Sequence, residues 1–593
     1  MAARMIRVAS APGVQRDGTA LAAQAYVDAQ WCRWQRGLPR KMGGYKNTQA
    51  YLNAVSRALY SQAQSGFRYI SSGTPSGVDS FTIDNTGVAS GVIDPPFPAT
   101  VNPTTTGLPV GSFNGQPFTQ INSWQFESQY DNQTGLNLLF AFCGQNLLDP
   151  ASASNFPLYC TSIYSPVSWT YSGAYASGVP AYWSNSTTAE TGFVQVPGFA
   201  TGVIAGFATG NNTYQALFPN GISGGICSLA PYMTVYGNDG FLAWSAPGFP
   251  TDFVGGSQGS LYTAATRITN QKVVKGLPLR GGGGFSPNGL YWSIDSVIRA
   301  TFVGIPNGTF QFDQITTQSS ILSDRCVLEN DGTFYWAGVD RFLMYNGVMQ
   351  EIPNSMNLNW FFDNINTAYS GKSFAMKIPR WGEIWWCAPL FGATEPNWAV
   401  IYNFREKTWY DTALPSDLRS SGLHADNFVG NIMGSPTPYN YSTTNSSGNP
   451  ITATAYNLWQ HEKGTDQITG VNTAAVLSYF TTAPMSNLNA DPPNNKGISL
   501  GIVQPDFVQT GNMTLNVLKQ NNMSDNIYAG TSVTIADPTT VQSHAGNAPL
   551  GQIDPLKDTA KIIRLQFVSN VIGGNYQMGK TMIEVDDDGE RVA

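Results

Sequence analysis

Between residues 230 and 415, apolar and polar positions alternate on a short period. Apolar runs recur at Phe241 to Trp244, Leu290 to Ser293, Phe334 to Trp336 and Phe342 to Tyr345. They continue at Glu383 to Trp386 and Trp398 to Tyr402. Asx-Gly signals lie among them, at Asn238-Asp239-Gly240, Asn288-Gly289, Asn307-Gly308, Asn330-Asp331-Gly332 and Asn346-Gly347. Such dipeptides tolerate the positive φ angles of tight hairpin turns, so each predicts a turn between antiparallel strands. An aromatic strand pair every ~40–50 residues is the rhythm of a β-propeller. A sandwich also gives turns every ~8–12 residues, but the run of strands without helical segments favours the propeller. One short helix is predicted from Asn357 to Ile365. The expected fold is mainly β, with a β-propeller-like core, additional small β domains and long irregular loops.

The rest of the chain is less regular. Residues 1–55 read as a basic N-terminal arm punctuated by Pro12-Gly13, Asp17-Gly18 and Gly43-Gly44. Residues 56–230 are expected to hold the first part of the propeller with loop-rich β insertions; Asn137 to Phe142 is their clearest strand. Residues 231–415 carry the blades, and the Ser-, Asn-, Thr- and Pro-rich stretch 416–470 reads as a long loop. Residues 471–593 form a C-terminal β domain, with strands near 499–507, 512–519 and 561–572 and a frayed acidic end at Asp586-Asp587-Asp588-Gly589-Glu590.

Composition sharpens the picture. The chain has 593 residues, enough for several cores, with 15 Trp, 27 Tyr and 31 Phe to fill them. Charged residues make up only 12%, about half the usual share, so neutral hydrogen-bonding groups keep the surface wet. The aromatic content excludes a disordered chain. The start shows no apolar core of a signal peptide, and no run approaches the ~20 apolar residues of a membrane span. Synthesis in the cytoplasm is therefore expected.

The net charge of −7 hides a strong asymmetry. Residues 1–60 carry nine Lys or Arg against Asp17 and Asp28. From residue 69 to 266 there is no Lys or Arg, but there are nine acids, including Asp79, Asp84, Glu127, Asp131 and Asp252. Two readings stay open: a neutral surface serving only solubility, or a surface that must not grip DNA, since phosphate affinity comes largely from Lys and Arg. Both disfavour nucleic-acid binding by this stretch. The basic segment mixes its charge with apolar and turn residues, which favours a protein partner over DNA.

Catalytic chemistry is sparse. The six cysteines, Cys32, Cys143, Cys160, Cys227, Cys326 and Cys387, show no C-x-x-C and no metal-ligand spacing, and are expected to be buried thiols. A Cys143–Cys160 disulfide would need an oxidising compartment. His424, His461 and His544 each stand alone. Gly281 to Gly284 lacks the G-K-[ST] ending of a P-loop. Asp252, Asp295, Asp340 and Glu383 are the carboxylates that a glycosidase would have to pair, although Asp340 beside Arg341 suits a local ion pair. No catalytic residue, cofactor or metal is assigned.

Two stretches carry a resemblance. GVQRDGTALAAQAYVDAQWCRWQRGLPRKMGGY, from Gly13 to Tyr45, is similar to the opening of many phage tail proteins. The second lies between Val235 and Pro415 and includes VYGNDGFLAWSAPG, GLYWSIDSVIRATFVG, DGTFYWAGVDRFLMYNGVMQEIPN, EIWWCAPL and VIYNFREKTWYDTALP. In this order the motifs resemble the tail nozzle proteins of short-tailed bacteriophages (podoviruses), also called tail hub, tail tubular protein B or packaged-DNA stabilisation proteins. The resemblance covers about half the chain and rests on structural motifs. It implies a non-enzymatic virion protein: a hexamer below the portal and adaptor that retains packaged DNA, conducts double-stranded DNA at ejection without specific binding, and supports tail fibres, spikes or a needle. It gives the basic segment a docking role towards the adaptor, with Arg16, Arg33, Arg36, Arg40 and Lys41 as candidates. The competing reading is a glycan-binding or glycan-cleaving propeller that recognises a receptor.

Overall fold

The computed structural model describes the chain from residue 4 to 588. Left out are 90–111, 145–157, 162–168, 173–181, 186–193, 197–222, 254–263, 280–286, 426–430, 445–449, 488–495, 538–555 and some stretches of at most five residues. The described residues are mainly β. Their two helices are a short α-helix at Leu358–Asn364 and a 3-10 helix at Thr367–Lys372. The predicted helix therefore stands where its apolar spacing put it, with Asn357 and Ile365 as its end residues.

Aromatic runs and turns build a series of separate antiparallel sheets. The first sheet comprises Ala58–Gln64, Phe67–Thr74 and Gly77–Thr82. The second begins with Ser123–Asp131 and Leu136–Gly144. The third runs Gly225–Leu229, Tyr232–Tyr236, Phe241–Trp244, Ala264–Arg267. The fourth is Val273–Pro278, Gly289–Ser293, Val297–Phe302, Phe310–Thr316. The fifth is Val327–Asn330, Thr333–Ala337, Phe342–Tyr345, Met349–Glu351. The sixth is Phe374–Ile378, Glu383–Ala388, Trp398–Asn403, Thr408–Ala413. In the third to sixth, four consecutive strands pair in chain order; in the second, a separate hairpin at 169–185 intervenes before the fourth strand, Val194–Gln195. The seventh starts with Gly422–His424, Asn431–Thr444 and Pro450–His461 and continues through Tyr45–Asn47 to a hairpin at 467–474.

Among the described residues no backbone ladder joins one of these sheets to the next; side-chain packing does. The first strand of the first sheet packs beside that of the second, the second beside the third, and the third beside the fourth. The fifth packs beside the sixth, the sixth beside the seventh, and the seventh lies against the first. Gln125 bridges the remaining junction, its Nε2 donating to Val274 O and Asp324 Oδ2 at 3.3 Å each. Aromatic faces fill the spaces between sheets, as where Trp292 meets Phe334 and Trp336 at 5.7 Å between ring centroids.

Turn signals were mostly well placed. Asp331-Gly332 has φ of 51° and 79° and joins two strands of the fifth sheet in two residues. Gly240 and Gly347 also take positive φ in their turns. Asn288-Gly289 is a correction: Gly289 begins a strand, and the Asn288 side chain accepts from Phe302 N–H at 2.8 Å. Asn307-Gly308 and Gly281 to Gly284 lie outside the described residues.

Three larger expectations change. Residues 1–55 are not a free arm. Arg4–Arg7 pairs with Met582–Asp588, and Asp28–Gln30 with Ser478–Thr481. The hairpin Cys32–Gln35/Leu38–Lys41 joins the Asn575–Met578 strand, and Tyr45–Asn47 enters the seventh sheet. Strands of two to four residues carry little local pattern, and their partners lie hundreds of residues away. Residues 416–470 are not a long loop: they contain the 14- and 12-residue strands of a long hairpin, whose Thr and Tyr content suits strands better than its Ser, Asn and Pro content suggested. The acidic end is not frayed through Asp588, because Asp586, Asp587 and Asp588 pair with Ser499, Ile498 and Gly497. The largest core follows from this weaving. It gathers Tyr26, Trp31 and Trp34 with Trp385 and Tyr410 of the sixth sheet and Phe480, Phe567 and Tyr576 of the C-terminal unit.

Candidate functional site

The five basic residues proposed for docking fall into two groups. Arg16, Arg33 and Lys41 serve internal partners. Arg33 is fully buried and meets Glu383 Oε1 at 2.8 Å through Nε and Glu462 Oε1 at 2.6 Å through Nη2. The same carboxylates accept from three aromatic donors: Trp385 Nε1 at 2.8 Å and Tyr410 Oη at 2.7 Å on Glu383, and Trp381 Nε1 at 2.8 Å on Glu462. Burial alone would raise the Glu462 pKa, but Arg33 and His461 overcome it and hold the group at about 2. Burial dominates at Glu383 and raises its pKa despite Arg33. His461 lies edge-on to Trp31 and Trp385 at 5.5 and 5.2 Å, and burial lowers its pKa to about 4. Arg16 bridges Asp28 at 2.8 Å and Asp411 at 2.9 Å, while Lys41 Nζ donates to Gly574 O at 2.7 Å. Burial pulls the Lys41 pKa down to about 8.

Arg36 and Arg40 remain at the surface. Arg36-Gly37, both at positive φ, form the turn of the 32–41 hairpin, and their N–H groups donate to the Glu406 carboxylate at 2.6 and 3.2 Å. This links the hairpin tip to the 404–407 turn of the sixth sheet. The Arg40 guanidinium stands 4.7 Å from the Trp381 ring centre, with Arg380 at 4.8 Å and the buried Arg33 at 4.6 Å. Arg405, exposed, reaches back to the Arg380 and Pro379 carbonyls at 3.0 and 2.6 Å. Lys407 is also exposed. Arg40 and Arg380 thus flank Trp381, and Arg36, Arg405 and Lys407 extend the basic surface along the adjoining turns, with Glu406 among them. Arg380, Arg405 and Lys407 escaped the sequence reading because they lie more than 300 residues from the hairpin. Their local signals, PRWGE and NFREK, look like ordinary polar turns.

Such a surface suits an acidic partner: guanidinium groups held over an indole keep their charge and present paired N–H donors. The glycosidase candidates are occupied differently. Glu383 is locked by Arg33, Asp340 takes two hydrogen bonds from Arg341 at 3.0 and 2.8 Å, and Asp295 accepts from Ser293 Oγ at 2.9 Å. A cleft of about 250 Å³ beside the α-helix is lined by Ile294, Ile321, Leu322, Val339, Phe362 and Ile365, with Thr367 and Ser370 as its polar members. It presents no titratable side chain. Among the described residues no three His, Cys, Asp or Glu groups converge on a metal position, and no helix is long and apolar enough to cross a membrane. Cys160 stands opposite Phe140 in its ladder, not opposite Cys143, and His544 lies outside the described residues. No family model and no curated protein matches this chain.

Proposed function

We propose that this chain is a structural subunit of the tail nozzle of a short-tailed bacteriophage, and that its seven sheets are the blades of a β-propeller. The observation that carries the architectural half is the order of the first strands: each packs beside its sequence neighbour except at the fourth-to-fifth junction, which Gln125 bridges, and the seventh lies against the first. Radial repetition of four-stranded meanders produces such an order. The nozzle assignment rests on the resemblance over 13–45 and 235–415, together with the distribution of charge. The stretch without Lys or Arg from 69 to 266 runs from within the first blade, just after Arg68, to the last strand of the third, which ends at Arg267, and a wall that conducts DNA works best without cations to retain phosphates. The basic surface around Trp381 lies on the sixth blade and the N-terminal hairpin, and serves as the docking site for an acidic face of the adaptor. In this reading the subunits form a hexameric ring through heterologous contacts.

Reconstruction of particles containing the chain, by electron cryomicroscopy, tests the proposal. The expected result is a six-fold tube at the distal end of the tail axis, with Arg36 and Arg380 facing the adaptor. Density on the periphery, away from that axis, would sink it and favour a receptor-binding propeller.

A further inference from the structure

Four chain segments enter neighbouring sheets at one place: Ser56-Arg57 before the first sheet, Ser323 to Cys326 before the fifth, Ser370 to Ser373 before the sixth and Ser420-Ser421 before the seventh. They are stitched together. Arg325 donates through Nη1 to Arg57 O and through Nη2 to Gly371 O at 3.1 Å. Ser323 Oγ donates to Ser373 O at 2.7 Å, and Ser421 Oγ to Ser56 Oγ at 2.9 Å. Glu395 takes Arg57 at 2.7 Å and Lys372 at 2.5 Å. Asp324 accepts from Gln125, and Lys272 lies within its electrostatic reach.

The charges at this centre do not balance. Arg57, Lys272, Arg325 and Lys372 gather here with Asp324 and Glu395, four cations against two carboxylates among the described residues. Arg325 spends both outer nitrogens on carbonyls. Burial lowers its pKa; Asp324 opposes that shift and Arg57 adds to it. Four buried polar atoms at the junction have no protein partner: Nε of Arg57, Nε of Arg325, and the hydroxyls of Ser373 and Ser420. Arg57 is 1% exposed, while Arg325 is partly exposed. Buried donors without acceptors are costly, and uncompensated buried cations more so. One group answers both deficits, because a small anion brings negative charge and accepting lone pairs together.

We propose that this convergence is a binding site for a small inorganic anion, of the halide or oxyanion class, held between the Nε groups of Arg57 and Arg325 with Ser373 and Ser420 completing its shell. The site is independent of the tail assignment. It would fasten the entry strands of the first, fifth, sixth and seventh sheets to one another.

The test uses the full chain, exchanged into sodium gluconate at fixed ionic strength. Chloride and phosphate are then titrated separately while thermal unfolding is followed by tryptophan fluorescence. A saturable rise in Tm with one of them is expected, because a ligand that binds only the folded state stabilises it by mass action, and the titration that saturates at the lower concentration identifies the class. Ser373→Ala, which keeps every charge, should move the half-saturation point up by on the order of tenfold. Arg325→Met should abolish the saturable component, whereas Arg341→Met, outside the cluster, should leave it intact. If Arg325→Met does not fold, the Ser373→Ala titration decides. A crystal soaked in bromide should show an anomalous peak beside Arg325 Nε. No saturable shift with either anion, or the same half-saturation point in Ser373→Ala, would overturn the proposal.

Discussion

Arg33 shows how one side chain can tie three distant parts of the chain together. It sits on the N-terminal hairpin and neutralises Glu383 of the sixth sheet and Glu462, just after the Pro450–His461 strand of the seventh, 350 and 429 residues away. Removing one member of a buried ion pair leaves the rest uncompensated, so Arg33→Met should lower stability by about 3–5 kcal/mol. Urea unfolding with unchanged slope checks it, and a loss below about 1 kcal/mol would contradict the buried network. The same cluster sets a pH dependence. Glu462 is held at about 2, below its usual 4.5, so its contribution is present at neutral pH and fades as pH falls from 4.5 towards 2. His461 is lowered from 6.5 to about 4, so the unfolded chain takes up its proton first and stability falls as pH drops from 6.5 towards 4. Glu383, with a raised pKa, opposes part of this loss. The urea midpoint should therefore decline from pH 6.5 downward, and His461→Phe should blunt the upper part of that decline. A midpoint flat from pH 7 to 4 would contradict the assignment.

At the scale of elements, the short N-terminal strands depend on close fit. Gly13, at φ 107°, lies against the Trp409 carbonyl of the sixth sheet, and a Cβ there would collide with it. Gly13→Ala should cost at least ~1–2 kcal/mol through positive φ alone, and more through the collision. Amide exchange should show the loss first at Ala11–Val14 and its parallel partner Ala25–Tyr26. Equal loosening in the fourth sheet would argue against a local seat. The hairpin strands of the third and fifth sheets were legible because each Asx-Gly turn sits beside an aromatic run, and both partners of the ladder lie within a dozen residues. The strands at 4–7, 28–30 and 45–47 were not, because no residue near them in sequence carries the complementary pattern.

For the whole molecule, the two ends of the chain form one body. The C-terminal unit takes edge or inner strands from Arg4–Arg7, Asp28–Gln30 and the 32–41 hairpin, and its core continues into the sixth sheet. Deletion of the N-terminal segment should therefore do more than remove a docking surface. Loss of residues 1–48 strips Tyr26, Trp31, Trp34 and Tyr45 from the largest core, and burial of such aromatics is worth several kcal/mol each. The truncated chain should unfold or aggregate, and limited proteolysis should remove 471–588 first. Folding of the whole must also wait for its late strands, because among the described residues the first strand, Arg4–Arg7, pairs with the last, Met582–Asp588.

The sequence by itself determined the β character, the meander rhythm of 230–415, the short helix, the placement of most turns and the absence of cations from 69 to 266. These are properties of period, turn chemistry and composition, which act over a few residues or require only counting. Tertiary structure alone decided that the basic arm is an interlocking strap, that Arg16, Arg33 and Lys41 are internal while Arg36 and Arg40 join Arg380, Arg405 and Lys407 at the surface, and that cations outnumber carboxylates around Arg57 and Arg325. A side chain's partner across the fold depends on which distant backbone delivers the opposite charge, and local pattern holds no record of that.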